Sequence, residues 1–137
     1  MVWHEQMGPH FAKVHINPNN ELDWPIQPVV HDLRGPDYGD PHDHPWSFTT
    51  HIIYGGYIEE VFIPLPSGGV AVETVERLEG QSYTIEASHI HRIVSLLKER
   101  CFTISIYGKP ERDVSFYRFN DGQRLKRFHN CSHWEQF

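Results

Sequence analysis

Cysteine is scarce: there are two, Cys101 and Cys131, far apart and without zinc-ribbon spacing. The 137 residues are enough to build a hydrophobic core without disulfide staples. Long apolar runs are also lacking, and no stretch approaches the length of a membrane span. Residues 1–10 contain His and Glu but no apolar run, so a secretory leader is not expected and a reducing cytoplasmic location is. Basic character is thin. The net charge is −6, and the densest basic group, Arg124, Lys126 and Arg127, reads as a solvated face. Neither nucleic acid nor a membrane surface is therefore an expected partner. No segment carries a clear helical period, although residues 123–137 have room for a turn or two of helix.

What is present is β-forming. Aromatics make up 13% of the chain and suit a packed all-β core. Short runs rich in Val, Ile, Thr, Tyr and Phe predict strands at 12–16, 27–33, 49–54, 57–63, 70–77, 82–86, 90–96, 101–107 and 113–119. Turn residues separate them: Gly55-Gly56, the Pro64 to Gly69 stretch, Glu79-Gly80, and Gly108 to Pro110. Some nine closely spaced strands predict an all-β sandwich or barrel in a single domain over 1–137, with the barrel at roughly 27–119. The tail, with Phe128, Trp134 and Phe137, is expected to pack on that barrel.

Eleven histidines raise the expectation of a metal site. The sharpest local feature is Pro41-His42-Asp43-His44-Pro45-Trp46. Residues two apart on a strand share a face, so His42 and His44 can grip one ion. A pair of exposed loop histidines is the alternative, because two ligands do not close a site. A third histidine, His91, lies at the end of the stretch from Gly80 to Arg92, where a barrel strand can deliver it from a distance.

These two stretches resemble the paired motifs of the cupin superfamily. His42, His44 and Gly56 fit the first motif, with Thr49 where an acidic residue is usual. Gly80 and His91 fit the second, with Glu86 and Ser88 in place of Pro and Gly. The resemblance covers about Leu33 to Pro110 and implies a cupin β-barrel, that is, a double-stranded β-helix or jelly roll. It also implies a site of three histidines without the motif carboxylate, holding one divalent ion. Fe(II) is favoured, with Zn, Ni or Mn as alternatives.

Three-histidine cupins include the thiol dioxygenases, and the likeness extends locally to His91-Arg92-Ile93 and to Thr103 through Tyr107. By that analogy Tyr107 brings its hydroxyl near the metal. Thr49 replaces the cysteine that cross-links to the tyrosine in the mammalian-type enzymes, and Ser105 replaces the histidine two residues before it. The chain also resembles small bacterial and phage cupins. These share its His-Asp-His-Pro-Trp start, a Gly-Gly-Tyr turn followed by Glu (here Glu59 and Glu60), and an aromatic tail.

Around the triad, Thr49 and His51 are expected to point inward. Thr49 would bond a metal-bound water or pack, and His51 would serve as a fourth ligand, a pocket base or a buried, hydrogen-bonded barrel histidine. Tyr107 reads as a proton donor or a core aromatic. Trp46, Phe48, His89 and Ser105 are expected to line the pocket, and Arg92 to face outward in a salt bridge. His129, Cys131 and His133 alternate but lack a fourth ligand.

The leading expectation is a non-heme iron oxygenase acting on a small molecule. A metal-dependent isomerase, epimerase or lyase and a non-catalytic binding barrel are the alternatives. Homodimerisation through edge strands is expected under all three.

Overall fold

The computed structural model describes residues 2–23, 26–36, 39–120 and 122–137. They form twelve strands: β1 (Val2–Gly8), β2 (Phe11–Ile16), β3 (Val29–Leu33), β4 (Phe48–Tyr54), β5 (Gly56–Pro64), β6 (Val70–Leu78), β7 (Ser82–Ile85), β8 (Ile90–Leu96), β9 (Cys101–Tyr107), β10 (Ser115–Asn120), β11 (Gln123–Phe128) and β12 (Glu135–Gln136). Among the described residues there is no helix, and so none long and apolar enough to cross a membrane. The nine expected strands all form, with ends within two residues of expectation. The helical turns allowed for 123–137 do not form. Gln123–Phe128 instead pairs antiparallel with β10, and Glu135–Gln136 adds a short strand beside it. Cross-strand pairing overrode a weak local preference there.

Two layers face each other. One is a six-stranded sheet in the order β1-β2-β3-β9-β4-β7. The other contains β6-β5-β8 and β10-β11-β12, linked through His42, which bridges to His91 on β8 and to Phe116 on β10. All strand pairs are antiparallel. This is the all-β jelly roll of the cupin type that the strand pattern and motifs predict. Leu33, Ile52, Tyr57 and Cys101 come from both layers and form one buried cluster. Phe62, Ile90 and Tyr117 form a second, in the layer that carries the site.

The Gly55-Gly56 turn swings the chain from one layer into the other. Both glycines have positive φ, and a Cβ on Gly55 would lie 2.2 Å from the Arg100 carbonyl oxygen. Gly80 also has positive φ, but open space surrounds the place of its Cβ. Gly55→Ala should therefore cost well over about 1 kcal/mol, and Gly80→Ala distinctly less. Urea denaturation of the two variants checks this, and equal losses would contradict it.

Candidate metal centre

The segment 41–44 is an improvised strand, fixed by its backbone rather than by a long ladder. His42 and His91 exchange both N–H···O bonds, at 3.1 and 3.0 Å. The His44 N–H donates to Ala87 O, the Asp43 N–H to Ser115 O, and the Tyr117 N–H to Pro41 O. Between the two histidines, Asp43 points the opposite way and is fully buried. Its carboxylate accepts from the Ser115 N–H and the Tyr117 hydroxyl, both at 2.7 Å, and pairs with Arg112 at 2.9 Å. With Asp43 anchored on one side, alternation aims His42 and His44 to the other.

The three imidazoles converge. Ring centroids lie 5.3 Å apart for His42–His44, 5.2 Å for His42–His91 and 4.8 Å for His44–His91. The Nε2 atoms of His44 and His91 are 3.2 Å apart. Two nitrogens that each stand about 2.1 Å from one ion are separated by about 3.0–3.4 Å.

The outer ring atoms are set for that task. His91 Nδ1 donates to Glu59 Oε2 at 2.6 Å, which leaves its Nε2 lone pair aimed into the cluster. His42 Nδ1 lies 3.4 Å from Asp40 O. Burial, reinforced by His91, His42, His89 and Lys13, drives His44 far below the ordinary imidazole range and keeps it neutral and able to ligate.

Glu59 is the residue that sequence reasoning missed. It is fully buried on β5 and also accepts from Arg77 Nε and Nη2, at 2.9 and 2.6 Å. Burial alone would raise its carboxyl, but the hydrogen bonds from His91 and Arg77 prevail and hold it below the usual value. The carboxylate missing from the motif position thus reaches the cluster from another strand, behind His91. Its signal was parity: Tyr57, Glu59 and Val61 alternate on one buried face of β5. Glu59, His89 and His91 also lie close enough to hold an ion. At 2.6 Å, however, the Glu59–His91 contact is a hydrogen bond with no room for a metal between the two.

Other expected site residues divide into two groups. Trp46, Phe48, Tyr107, Ser105 and His89 lie on the inside. Phe48 meets His44 edge-on at 4.8 Å and Tyr107 at 5.7 Å, and Trp46 lies 4.7 Å from Tyr107. Ser105 is buried and bonds Thr50 at 2.6 Å. His89 lies 5.0 Å from His91, and burial pushes its pKa down to about 4.

Thr49 and His51 require correction, because both are exposed on the outer face of the sheet. Thr49 bonds Thr84 at 2.7 Å, and His51 bonds Ser82 at 2.7 Å. The expectation carried the inward parity of His44 across Pro45. The chain bends at Pro45-Trp46, and parity restarts with Phe48, Thr50 and Ile52 buried. Arg92 turns to Glu60 at 2.9 Å, as expected. His129, Cys131 and His133 do not gather into a ligand cluster among the described residues.

His31 is a second residue whose place the sequence did not disclose. It sits on β3, with Nδ1 3.0 Å from Thr103 Oγ1 and Nε2 2.8 Å from the Tyr107 hydroxyl. Burial, with Lys13 and His15 nearby, lowers its pKa to about 3. Burial also raises Tyr107, which keeps its proton.

No protein-family model matches the sequence, and no curated protein does. Solved structures do match in fold. A 7S globulin from Momordica charantia superposes with a TM-score of 0.62 at 10% identity, over 93% of this chain and 35% of that one. Hydroxypropylphosphonic acid epoxidase from S. wedmorenis gives 0.55 at 11%, over 78% and 55%. An oxalate decarboxylase variant from Bacillus subtilis gives 0.55 at 15%, over 80% and 28%. The chain spans about a third of the globulin and about half of the epoxidase. These likenesses establish the cupin-type barrel and nothing finer. The class defined by fold and cluster together is a cupin-type jelly roll with a three-histidine group able to hold a divalent ion.

If Glu59 fixes the His91 tautomer, Glu59→Gln should weaken zinc binding by about 10- to 100-fold while the fold survives. Competition titration against a chromophoric chelator measures this. Unchanged affinity would contradict the assignment.

Proposed function

We propose that the chain is a metal-dependent cupin enzyme, a non-heme iron oxygenase acting on a small molecule at His42, His44 and His91. One observation carries the reading: three imidazoles converge at ligand spacing, with a buried carboxylate behind one of them. Neutral histidines leave a dipositive ion its full charge and leave coordination positions open. A bound Fe(II) ion supplies those positions and one-electron chemistry toward dioxygen. A structure of the similarly folded epoxidase is described with Fe(II), which supports iron over other ions.

The chain's own residues do the rest. Trp46, Phe48 and Tyr107 form an aromatic wall that limits water beside His44. Tyr107 keeps its proton and has its hydroxyl held by His31, so it can present a fixed hydrogen bond to a substrate. Thr49 and His51, on the outer face, take no part.

The test is oxygen uptake by protein loaded anaerobically with Fe(II), across small thiols and chelating acids, beside His91→Ala. Substrate-dependent uptake is expected. The variant should lose it by more than the about 10- to 100-fold that removing an outer supporting residue brings. Stoichiometric metal with no uptake from any substrate would overturn the oxygenase reading in favour of isomerase or lyase chemistry. No metal in either protein would leave a binding barrel.

A further inference from the structure

The six-stranded sheet ends at β1, and the open end of the β1–β2 hairpin runs into a turn at 17–23. A cavity of about 460 Å³ lies between the two, lined by Val2, Trp3, Pro18, Asn19 and Glu21. None of these residues belongs to the three-histidine cluster, and nothing in the cavity calls for a metal.

The indole wall of the cavity is braced. Trp3 lies directly across from His15 on β2, so the two side chains share a face. Their rings meet at 4.7 Å with a tilt of 30°. His15 is itself held, with Nε2 2.9 Å from Glu5 Oε1. Trp3 is nevertheless 53% exposed, so much of the indole stays open beside the cavity.

The opposite wall is a rigid turn. Asn17 is fully buried, and its Oδ1 accepts from the Leu22 N–H at 3.0 Å while its Nδ2 donates to Asn20 Oδ1 at 3.3 Å. The Asn20 N–H returns to Asn17 O at 3.0 Å. Asn17, Asn20 and Asp23 all take positive φ, at 58°, 53° and 51°. Left-handed residues other than glycine persist only where their surroundings over-determine them, and they gather at sites that hold ligands. The turn thus sets Pro18, Asn19 and Glu21 in fixed places facing Trp3.

The lining selects a ligand class. An aromatic face carries negative charge density and attracts C–H groups. The exposed Asn19 amide offers both a donor and an acceptor, and the Glu21 carboxylate accepts. No Lys or Arg lines the cavity, so phosphates and carboxylates gain no partner there. The fitting ligand is neutral, has one face of C–H bonds and carries adjacent hydroxyls at its rim. A pyranose sugar has that make-up, and the cavity's volume is that of a small-molecule site.

We propose that this cavity binds a neutral saccharide, with a sugar ring on the Trp3 indole and its hydroxyls on Asn19 and Glu21. It is a recognition site at the sheet edge, separate from the chemistry at His42, His44 and His91.

The experiment is a proton–nitrogen NMR titration of the full chain, in which the Trp3 indole N–H is assigned by its loss in Trp3→Phe. The probes are glucose, galactose, mannose and N-acetylglucosamine, with cellobiose, maltose, lactose and chitobiose. Sorbitol (hydroxyls without a ring) and glucose phosphate are the controls. In the Trp3 variants, binding is read from the Asn19 backbone N–H.

At least one sugar should shift the Trp3 indole signal saturably at millimolar concentration, and neither control should. Trp3→Ala should weaken that sugar's binding about 10-fold or more and Glu21→Gln about 10-fold, while Trp3→Phe keeps most of it. Trp3 and Glu21 are exposed, so the fold should survive each change. No shift from any of these sugars would overturn the proposal, as would equal shifts from sorbitol or binding that Trp3→Ala leaves intact.

Discussion

The paired backbone hydrogen bonds between His42 and His91 hold the site together. They tie the three-residue segment between Pro41 and Pro45 onto β8, and His42 also reaches β10 through Phe116. Without that exchange the second layer would split into two separate three-stranded pieces. The bonds that close the barrel are thus the bonds that bring two distant histidines side by side. Loss of the pairing would remove fold closure and ligand geometry together.

Electrostatics then set the state of each ligand. Glu59 is a fully buried carboxylate, tolerable only because Arg77 and His91 supply three charge-assisted hydrogen bonds. In return it fixes which ring nitrogen of His91 carries the proton. Asp43 plays a parallel structural part on the other side of the His42–His44 segment, held by Tyr117, Ser115 and Arg112. Two buried acids, each held by hydrogen bonds to its own partners, make the triad rigid. Preorganisation of this kind lets neutral imidazoles take up an ion without rearrangement.

Much of the fold was legible because the strands obey period-two patterning and the turns carry Gly and Pro. Spacing paired His42 with His44, and the resemblance of two stretches to the cupin motifs brought His91 to them. What spacing could not convey was parity across a break. Pro45 interrupts the strand, so an inward call for His44 did not transmit to Thr49 and His51, which point outward. Partners arriving from other strands were equally hidden. Glu59 and His31 reach the inner face through cross-strand register, a property of pairing rather than of local sequence. The β11 strand was missed because Gln123–Phe128 has little β-branched character and forms by pairing with β10.

The barrel by itself is compatible with storage proteins as well as enzymes, so function depends on the cluster. X-ray absorption on the zinc-loaded protein tests the central claim most directly. Three imidazole nitrogens at about 2.0–2.1 Å, with the remaining ligand a light oxygen atom, is the predicted result. Two or fewer imidazoles at that distance, or more than one ion per chain, would contradict the account.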